Sequence, residues 1–432
     1  MIEVDGDVRT LRRDQLDLPT AIMDSSMGRV SAIANFHRSS KTSPPIELTI
    51  LMPCLNEART LASCIAKAHL FLRTNGVHGE VLVADNGSSD DSIEIGRSNG
   101  ARVINVREKG YGSALLAGIA SARGRYVVMG DADDSYDFSA LDPFLVKLRA
   151  GADLVIGNRY SGGIASGAMP VLHRYLGNPV LSFIGRLLFA TPIRDFHCGL
   201  RAFRRDAIVA LTLREHGMEF ASEMVVKASL ARLQIEEVPT MLAKDGRDRA
   251  PHLRTWRDGW RHLRFLLMLS PRWALLYPGL LMLAVGWAMQ ALLLPGPLFI
   301  SGVGLDIHTM LFSAGIGLVG GQLCLLALLA RCAAIEMGLL PRTGLANWFL
   351  SSFRLEPWLA FAALLIAISF GCAVYATNLW KEAAFAAVDP SQLMRPAILS
   401  VSLGVSGFEM VVGAIFMSLI QYASRRREPA EP

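Results

Sequence analysis

Charge is scarce in this chain. Of its 432 residues only 19% are Asp, Glu, Lys or Arg, against a hydrophobic fraction of 52% and a mean hydropathy of +0.35. A water-soluble chain carries nearer a quarter charged residues, so the apolar excess must be housed outside an ordinary soluble core. Disordered and fibrous classes are excluded on the same ground. Paired cysteines are missing too. Cys54, Cys64, Cys198, Cys324, Cys332 and Cys372 form no C-x-x-C pair, which argues against a zinc site or disulfide framework and fits thiols in a reducing compartment. Residues 1–45 hold no apolar core of signal-peptide length, so a flexible extension is expected there.

From Leu48 onward short apolar runs alternate with helical stretches. Leu48–Met52, Glu80–Asp85, Arg102–Val106, Arg125–Met129 and Asp153–Ile156 read as buried parallel strands. Glu57–Arg73, Asp91–Asn99, Gly112–Ala122 and Leu141–Ala150 are each long enough to be crossover helices. Such alternation predicts a parallel sheet wrapped by helices, with ligands at the carboxyl ends of the strands. The polar clusters stand at those ends.

After Arg272 come four apolar stretches, Trp273–Leu294, Met310–Ala330, Trp358–Thr377 and Ala397–Tyr422, of the length that crosses a bilayer. Glu409 is the one charged residue inside them and is expected to face another helix or an interface. Arg331, Arg342 and Arg354 lie between spans two and three, and Arg425, Arg426 and Arg427 follow span four. Pro295–Thr309, between spans one and two, has no Lys or Arg, and the last inter-span loop has only Lys381 and Arg395. Both termini and the N-terminal domain are therefore expected in the cytoplasm, on a multi-pass inner (cytoplasmic) membrane protein. Eight Lys/Arg against three Asp fall between Lys244 and Arg272, interleaved with Trp256, Trp260, Leu263 and Leu267. That pattern suits an amphipathic helix lying on the membrane or simple positive-inside anchoring. Nucleic-acid binding is not expected of a basic patch that abuts a span.

Three clusters carry chemistry. Pro53-Cys54-Leu55-Asn56-Glu57 closes a strand and opens a helix, where an amide and a carboxylate can meet ribose hydroxyls or base edges, although capping uses the same residues. Asp85-Asn86-Gly87-Ser88-Ser89-Asp90-Asp91 reads as a strand–turn–helix connection, which accounts for Gly87 and Asp90 better than for Asp85. The third crowds Asp131, Asp133, Asp134 and Asp137 into seven positions. Carboxylates so close raise one another's pKa unless a cation neutralises them. Asp131 and Asp133 are spaced to share one hard divalent ion whose other positions stay open for phosphate oxygens and water.

In this order the clusters resemble the nucleotide-sugar signatures of the GT-A glycosyltransferases of family 2. Lys109–Ala114 (KGYGSA), Gly157–Tyr160 (GNRY) and Asp195–Arg204 (DFHCGLRAFR) sharpen the likeness to its dolichol-phosphate mannose/glucose synthase branch, the polyprenyl-phosphate glycosyltransferases, over about residues 47–270. The resemblance implies a Rossmann-like α/β GT-A domain followed by an all-α membrane domain of four transmembrane helices. The implied organisation is an extension over 1–45, a GT-A domain over 46–243 and a basic juxtamembrane segment over 244–272. A membrane domain over 273–423 and a cytoplasmic tail over 424–432 complete it.

By the same resemblance Pro53, Asn56 and Glu57 line the nucleoside pocket and Asp85 bonds the base. Asp131 and Asp133 hold Mg²⁺ or Mn²⁺ against the diphosphate, and Lys109 and Tyr111 stand near the donor. Arg201 and Arg204 approach the diphosphate or the acceptor phosphate, with Arg204 among the catalytic set; Glu223 serves substrate binding or packing. The implied partners are a nucleotide sugar, a polyprenyl phosphate, the membrane and a second copy of the chain.

Two absences bear on the acceptor. The Glu-Asp pair that supplies a base to hydroxyl-using relatives is replaced by Glu219-Phe220, and no Q-x-x-R-W motif of processive synthases is present. A hydroxyl needs general-base help, whereas a lipid phosphate is already an anion. The expected activity is an inverting transfer of one hexose, from UDP or GDP, to a polyprenyl phosphate. The alternatives are a sugar-hydroxyl or glycolipid acceptor, or a non-enzymatic membrane assembly subunit.

Overall fold

The computed structural model describes residues 45–247, 255–342 and 344–425. Residues 1–44 of the expected extension, and Arg249, Arg254, Arg426 and Arg427 of the basic segments, lie outside the described residues.

The first half is a seven-stranded sheet in the order β3-β2-β1-β4-β6-β5-β7. In chain order its elements are β1 (Leu48–Cys54), α1 (Leu61–Thr74), β2 (Gly79–Asp85), α2 (Ser92–Ser98), β3 (Arg102–Asn105), α3 (Tyr111–Ser121), β4 (Tyr126–Met129) and α4 (Asp142–Arg149). There follow β5 (Leu154–Asn158), α5 (Arg159–Gly162), a π turn over His173–Gly177 continuing into α6 (Asn178–Phe189), β6 (Arg201–Arg204), α7 (Arg205–Ala210), α8 (Phe220–Leu230) and β7 (Ile235–Pro239). All five strands and four helices expected from the alternating runs are present, with ends shifted by a few residues. β6 and β7 were not expected.

β1 lies inside the sheet, between β2 and β4, and is apolar on both faces: Leu48, Ile50, Leu51 and Met52 are fully buried. Each such side chain contributes about 1.5–3 kcal/mol on removal from water. From β1 the chain winds outward to β2 and β3, then returns to add β4 on the other side. The chain therefore reverses direction of winding between β1 and β4, and the crevice at their carboxyl ends is where such sheets bind ligands. β6 is antiparallel to both β4 and β5, with Met129 opposite Arg201 and Tyr126 opposite Arg204.

The second half begins with α9 (Thr255–Met268), amphipathic and leading through a π turn at Arg272–Leu276 into α10 (Tyr277–Leu293). A short hairpin of β8 (Leu298–Ile300) and β9 (Val303–Leu305) precedes α11 (Ile307–Glu336). Then come α12 (Gly344–Ser352), α13 (Leu355–Glu382) and α14 (Pro390–Arg425). Among the described residues four helices, beginning at Arg272, Ile307, Leu355 and Pro390, are long and apolar enough to cross a membrane. Their outward faces are apolar, with Phe312 74%, Phe370 70% and Phe408 66% exposed. That arrangement suits lipid, not water. Between the spans, small residues set the packing: a side chain at Gly286 would run into the Gly317 backbone. Ser402 donates to Gln290 Oε1 at 2.9 Å, and Ser369 and Ser400 exchange hydrogen bonds at 2.7 Å. The Glu409 carboxylate lies against Gly321 of α11, so it faces a neighbouring helix.

Candidate active site at the carboxyl edge of the sheet

The loops after β1, β2 and β4 meet at the crevice between β1 and β4. After β1 the chain turns sharply: Asn56 adopts φ +58°, a left-handed conformation that Asn tolerates better than most residues. Its amide donates to Ser88 Oγ at 2.8 Å and its side-chain oxygen accepts from the Ser89 amide at 2.7 Å, tying this loop to the one after β2. Pro53 lies opposite Ala84 in the register, and Cys54 opposite Asp85. Asp85 is buried, and its carboxylate accepts from the amides of Gly87 at 2.9 Å and Ser88 at 3.1 Å. Lys109 donates to the Asn86 carbonyl at 2.8 Å, while Asn86 itself fixes the 108–110 loop through Glu108 O and the Gly110 amide.

The four acids after β4 divide by partner. Asp134 turns away to Lys67 at 2.8 Å, and Asp137 accepts from Ser139. Asp131 accepts from the Tyr111 hydroxyl at 3.0 Å. Asp133 accepts from the Ser135 hydroxyl at 2.6 Å and, on its other oxygen, faces Arg247 at 3.2 Å. The Arg247 guanidinium also grips buried Glu57, at 2.8 and 2.9 Å. One arginine thus bridges the carboxylate after β1 to a carboxylate after β4. It is held there by the backbone, since Gly246 donates to Asp133 O and Ala243 to Ser135 O.

Asp131 sets the electrostatic demand of the site. Burial, with the charge of Asp133 beside it, pushes its carboxyl up to about 6. A pair of carboxylates short of positive charge is the condition that a divalent cation relieves. The donors are hard oxygens, which suit Mg²⁺ or Mn²⁺. Among the described residues no three His, Cys, Asp or Glu side chains gather as a closed metal site. An ion here would complete its shell with substrate oxygens and water. The residues fit such a group.

Other expected residues lie elsewhere or act differently. Arg201 is fully buried, and its guanidinium is spent on three backbone carbonyls, Phe196 O, Cys198 O and Ala221 O, at 2.6–2.9 Å. It shapes the 196–201 loop and is not turned toward a phosphate. Arg204 is not brought to the site: the antiparallel course of β6 puts it opposite Tyr126, at the far end of β4 from Asp131, where it pairs with Asp153 and Asp206. Glu223 is buried, pairs with Lys227 at 2.8 Å and accepts from the amides of Arg214 and Glu215. The loop so held reaches α3, where His216 O accepts from the Ser113 amide. Glu223 acts by holding that loop. Glu219 is engaged by Arg261 of α9, so the carboxylate beside Phe220 already has a cationic partner.

Arg247 is the residue that sequence reasoning misplaced. It falls within the basic run near the membrane, and its signal, a lone arginine closing Lys244-Asp245-Gly246-Arg247, is indistinguishable from that run. Tyr111 was placed near the donor, and its contact with Asp131 sets it at the carboxylate pair.

Residues 49–211 match the glycosyl transferase family 2 model, and residues 328–421 match the glycosyltransferase family 2 C-terminal transmembrane region. The low-salt glycan biosynthesis hexosyltransferase Agl6 of Haloferax volcanii is 34% identical over 377 residues, 86% of this chain and 88% of the relative. A dolichyl-phosphate hexose transferase of the same organism is 31% identical over 45% of this chain and 81% of its own length. The dolichyl-phosphate beta-glucosyltransferase of Drosophila melanogaster is 28% identical over 46% and 68%. Among solved structures, glucosyl-3-phosphoglycerate synthase from Mycobacterium tuberculosis, in complex with Mn²⁺, uridine diphosphate and glucosyl-3-phosphoglycerate, aligns over 51% of this chain and 77% of its own. The identity there is 23% and the TM-score 0.38.

Proposed function

The chain belongs to glycosyltransferase family 2, and from that premise we propose that it moves one hexose from a nucleotide sugar to a polyprenyl phosphate at the cytoplasmic face of a membrane. The observation that carries the reading is the position of the carboxylate edge beside two helices with exposed apolar faces. On α6, Val180, Phe183 and Leu187 are exposed; on α9, Trp256, Trp260, Leu267 and Met268 are. α6 is seated directly on the loop next to the site, since Ser182 accepts from the Phe196 amide and Gly185 leaves room for the Phe196 ring. α9 runs into the first span. Apolar faces with Trp and cations suit the lipid interface, so an acceptor would come from the membrane side. Two relatives, a dolichyl-phosphate hexose transferase and a dolichyl-phosphate beta-glucosyltransferase, support the same acceptor class.

The residues then have these tasks. Asp85 and Asn56 shape the pocket that takes the nucleoside, and Glu57 sits at its rim. Asp131 and Asp133 would hold Mg²⁺ or Mn²⁺, which when bound supplies positive charge where the leaving diphosphate gains negative charge. Tyr111 keeps Asp131 aimed by its hydrogen bond. The acceptor phosphate oxygen forms a bond to C1 of the sugar as the bond from C1 to the diphosphate breaks, its electron pair leaving with the nucleotide; the displacement inverts the anomeric centre. No base is required, because the phosphate is already ionised. That agrees with Glu219 being engaged by Arg261. The arginine distribution of the loops supports a cytoplasmic catalytic domain.

Product chemistry tests the reading. A hexosyl phosphate linked to lipid is cleaved by mild acid and returns the free sugar, while a glycoside formed on a hydroxyl survives. An acid-stable product would replace the proposal with a hydroxyl-acceptor transferase.

A further inference from the structure

The loop before α8 touches the site on one side and the membrane half on the other. On the site side it lies backbone to backbone against the turn that opens α3. A Cβ on Gly110 would stand 2.2 Å from His216 O, and one on Gly112 would stand 2.1 Å from Glu215 O. The Ser113 amide donates to His216 O at 3.2 Å, and Ser113 Oγ shares a 3.0 Å hydrogen bond with His216 Nδ1. Segments packed this closely transmit a displacement instead of absorbing it. Tyr111 is the residue between the two glycines, and its hydroxyl donates to Asp131. A shift of residues 215–217 therefore moves the group that aims Asp131.

On the membrane side two arginines hold the same loop. Glu219 is only 5% exposed. Its Oε1 meets Arg261 of α9, while its Oε2 is sealed from solvent and makes no hydrogen bond. A nearly buried carboxylate thus depends on one cation, and stranding such a charge costs more than the pair itself contributes. Arg214 donates from Nη1 to Met337 O at 3.2 Å, at the residue that caps the carboxyl end of α11. A cation is favoured there by the helix dipole, but this contact is exposed and is the weaker of the two. Glu223 stiffens the loop between them by accepting from the amides of Arg214 at 2.9 Å and Glu215 at 2.8 Å. One contiguous run of backbone contacts and ion pairs joins the ends of α9 and α11 to the carboxylate pair, which is the physical condition for coupling.

We propose that Arg261, assisted by Arg214, is a positioning residue: through residues 214–219 and Tyr111 it sets the orientation of Asp131, so that metal affinity depends on how α9 and α11 are seated in the membrane. The inference rests on the reading of Asp131 and Asp133 as metal carboxylates and is independent of which acceptor is used. It gives the cytoplasmic ends of the membrane half a task beyond anchoring. The carboxylate pair is held ready for the donor when the juxtamembrane helix is in place.

The test is a double-mutant cycle on the full chain in nanodiscs, with Mn²⁺ affinity read by electron paramagnetic resonance in the absence of nucleotide and lipid substrate. Arg261→Gln is expected to weaken Mn²⁺ binding roughly fivefold or more, the lower end for coupled sites. Arg261→Lys, which keeps the charge, should recover most of that loss. Arg214→Gln, which strands no buried charge, should cost about twofold. In a Tyr111→Phe background Arg261→Gln should change affinity by less than about twofold, because the link to Asp131 is already cut. Hydrogen exchange supplies a metal-free readout: the amides of residues 111–114 should lose protection in Arg261→Gln while those of β1 and β4 keep theirs. Unchanged Mn²⁺ affinity in Arg261→Gln overturns the assignment, as does a full additional loss in the Tyr111→Phe background. An equal loss of protection in β1 and β4 overturns it too, since Arg261 then serves the fold alone. A chain that shows the non-additive cycle but labels no lipid removes the transfer reading and leaves the positioning role standing.

Discussion

Arg247 is where the geometry makes its sharpest demand. Its side chain, 20% exposed, is the cation between Glu57 at 5% and Asp133 at 10%. Replacing it with Met keeps the stem and removes the charge, leaving two nearly buried carboxylates facing each other's side of the crevice. Removing one partner of a buried pair costs about 3–5 kcal/mol, and the residual exposure of Arg247 brings that to about 2–3 kcal/mol. For a domain of this size each kcal/mol moves the midpoint by roughly 2–4 °C, so Arg247→Met is expected to melt about 5–10 °C lower in the absence of metal. The same vacancy should favour a divalent cation. Mn²⁺ affinity without nucleotide, read by electron paramagnetic resonance, is expected to rise about tenfold, equivalent to 1.4 kcal/mol, and saturating Mn²⁺ should restore most of the lost melting temperature. An unchanged melting point, or weaker Mn²⁺ binding, would refute the reasoning that this arginine neutralises the carboxylates of the crevice.

Gly199→Ala puts a methyl 2.6 Å from Asp131 Oδ2 and 3.3 Å from the Tyr136 ring. Turnover should fall roughly 10- to 100-fold from the displaced carboxylate, with the melting temperature nearly kept, and kinetics beside a thermal scan check both. Burial pushes the thiols of Cys54 and Cys198 up to about 11 and of Cys64 up to about 12. Their thiolate fraction at pH 8 is on the order of 10⁻³ or less, and a maleimide should leave these three unlabelled in the native protein and label them after denaturation. Gly286→Leu forces α10 away from Gly317 of α11 and should destabilise the membrane half by about 1–3 kcal/mol, seen as a lower midpoint for denaturation in mild detergent while nucleotide binding persists.

The parallel strands were legible because each is an apolar run of β-branched and aliphatic residues bounded by turn residues. The spans were legible for a simpler reason, the absence of charge over a bilayer's length. β6 escaped because Arg201-Ala202-Phe203-Arg204 carries two arginines, one of which the fold buries on backbone carbonyls. Its antiparallel sense, invisible in sequence, is what separates Arg204 from the site. The carboxylates Asp131 and Asp133 were found because crowded acids need a cation wherever they fold. Arg247, 190 residues along the chain from Glu57 and more than a hundred from Asp133, carries no local pattern to set it apart from its basic neighbours.

The central claim is transfer to a lipid phosphate, and one experiment meets it directly. Membranes holding the full chain would be given Mg²⁺ or Mn²⁺, a polyprenyl phosphate, and in turn radiolabelled UDP-glucose, UDP-galactose, GDP-mannose and UDP-N-acetylglucosamine. The account predicts label in the organic-extractable lipid from one donor, released by mild acid and lost in Asp133→Asn. Label that appears only in water-soluble glycan, or in lipid lacking a phosphate, would contradict it.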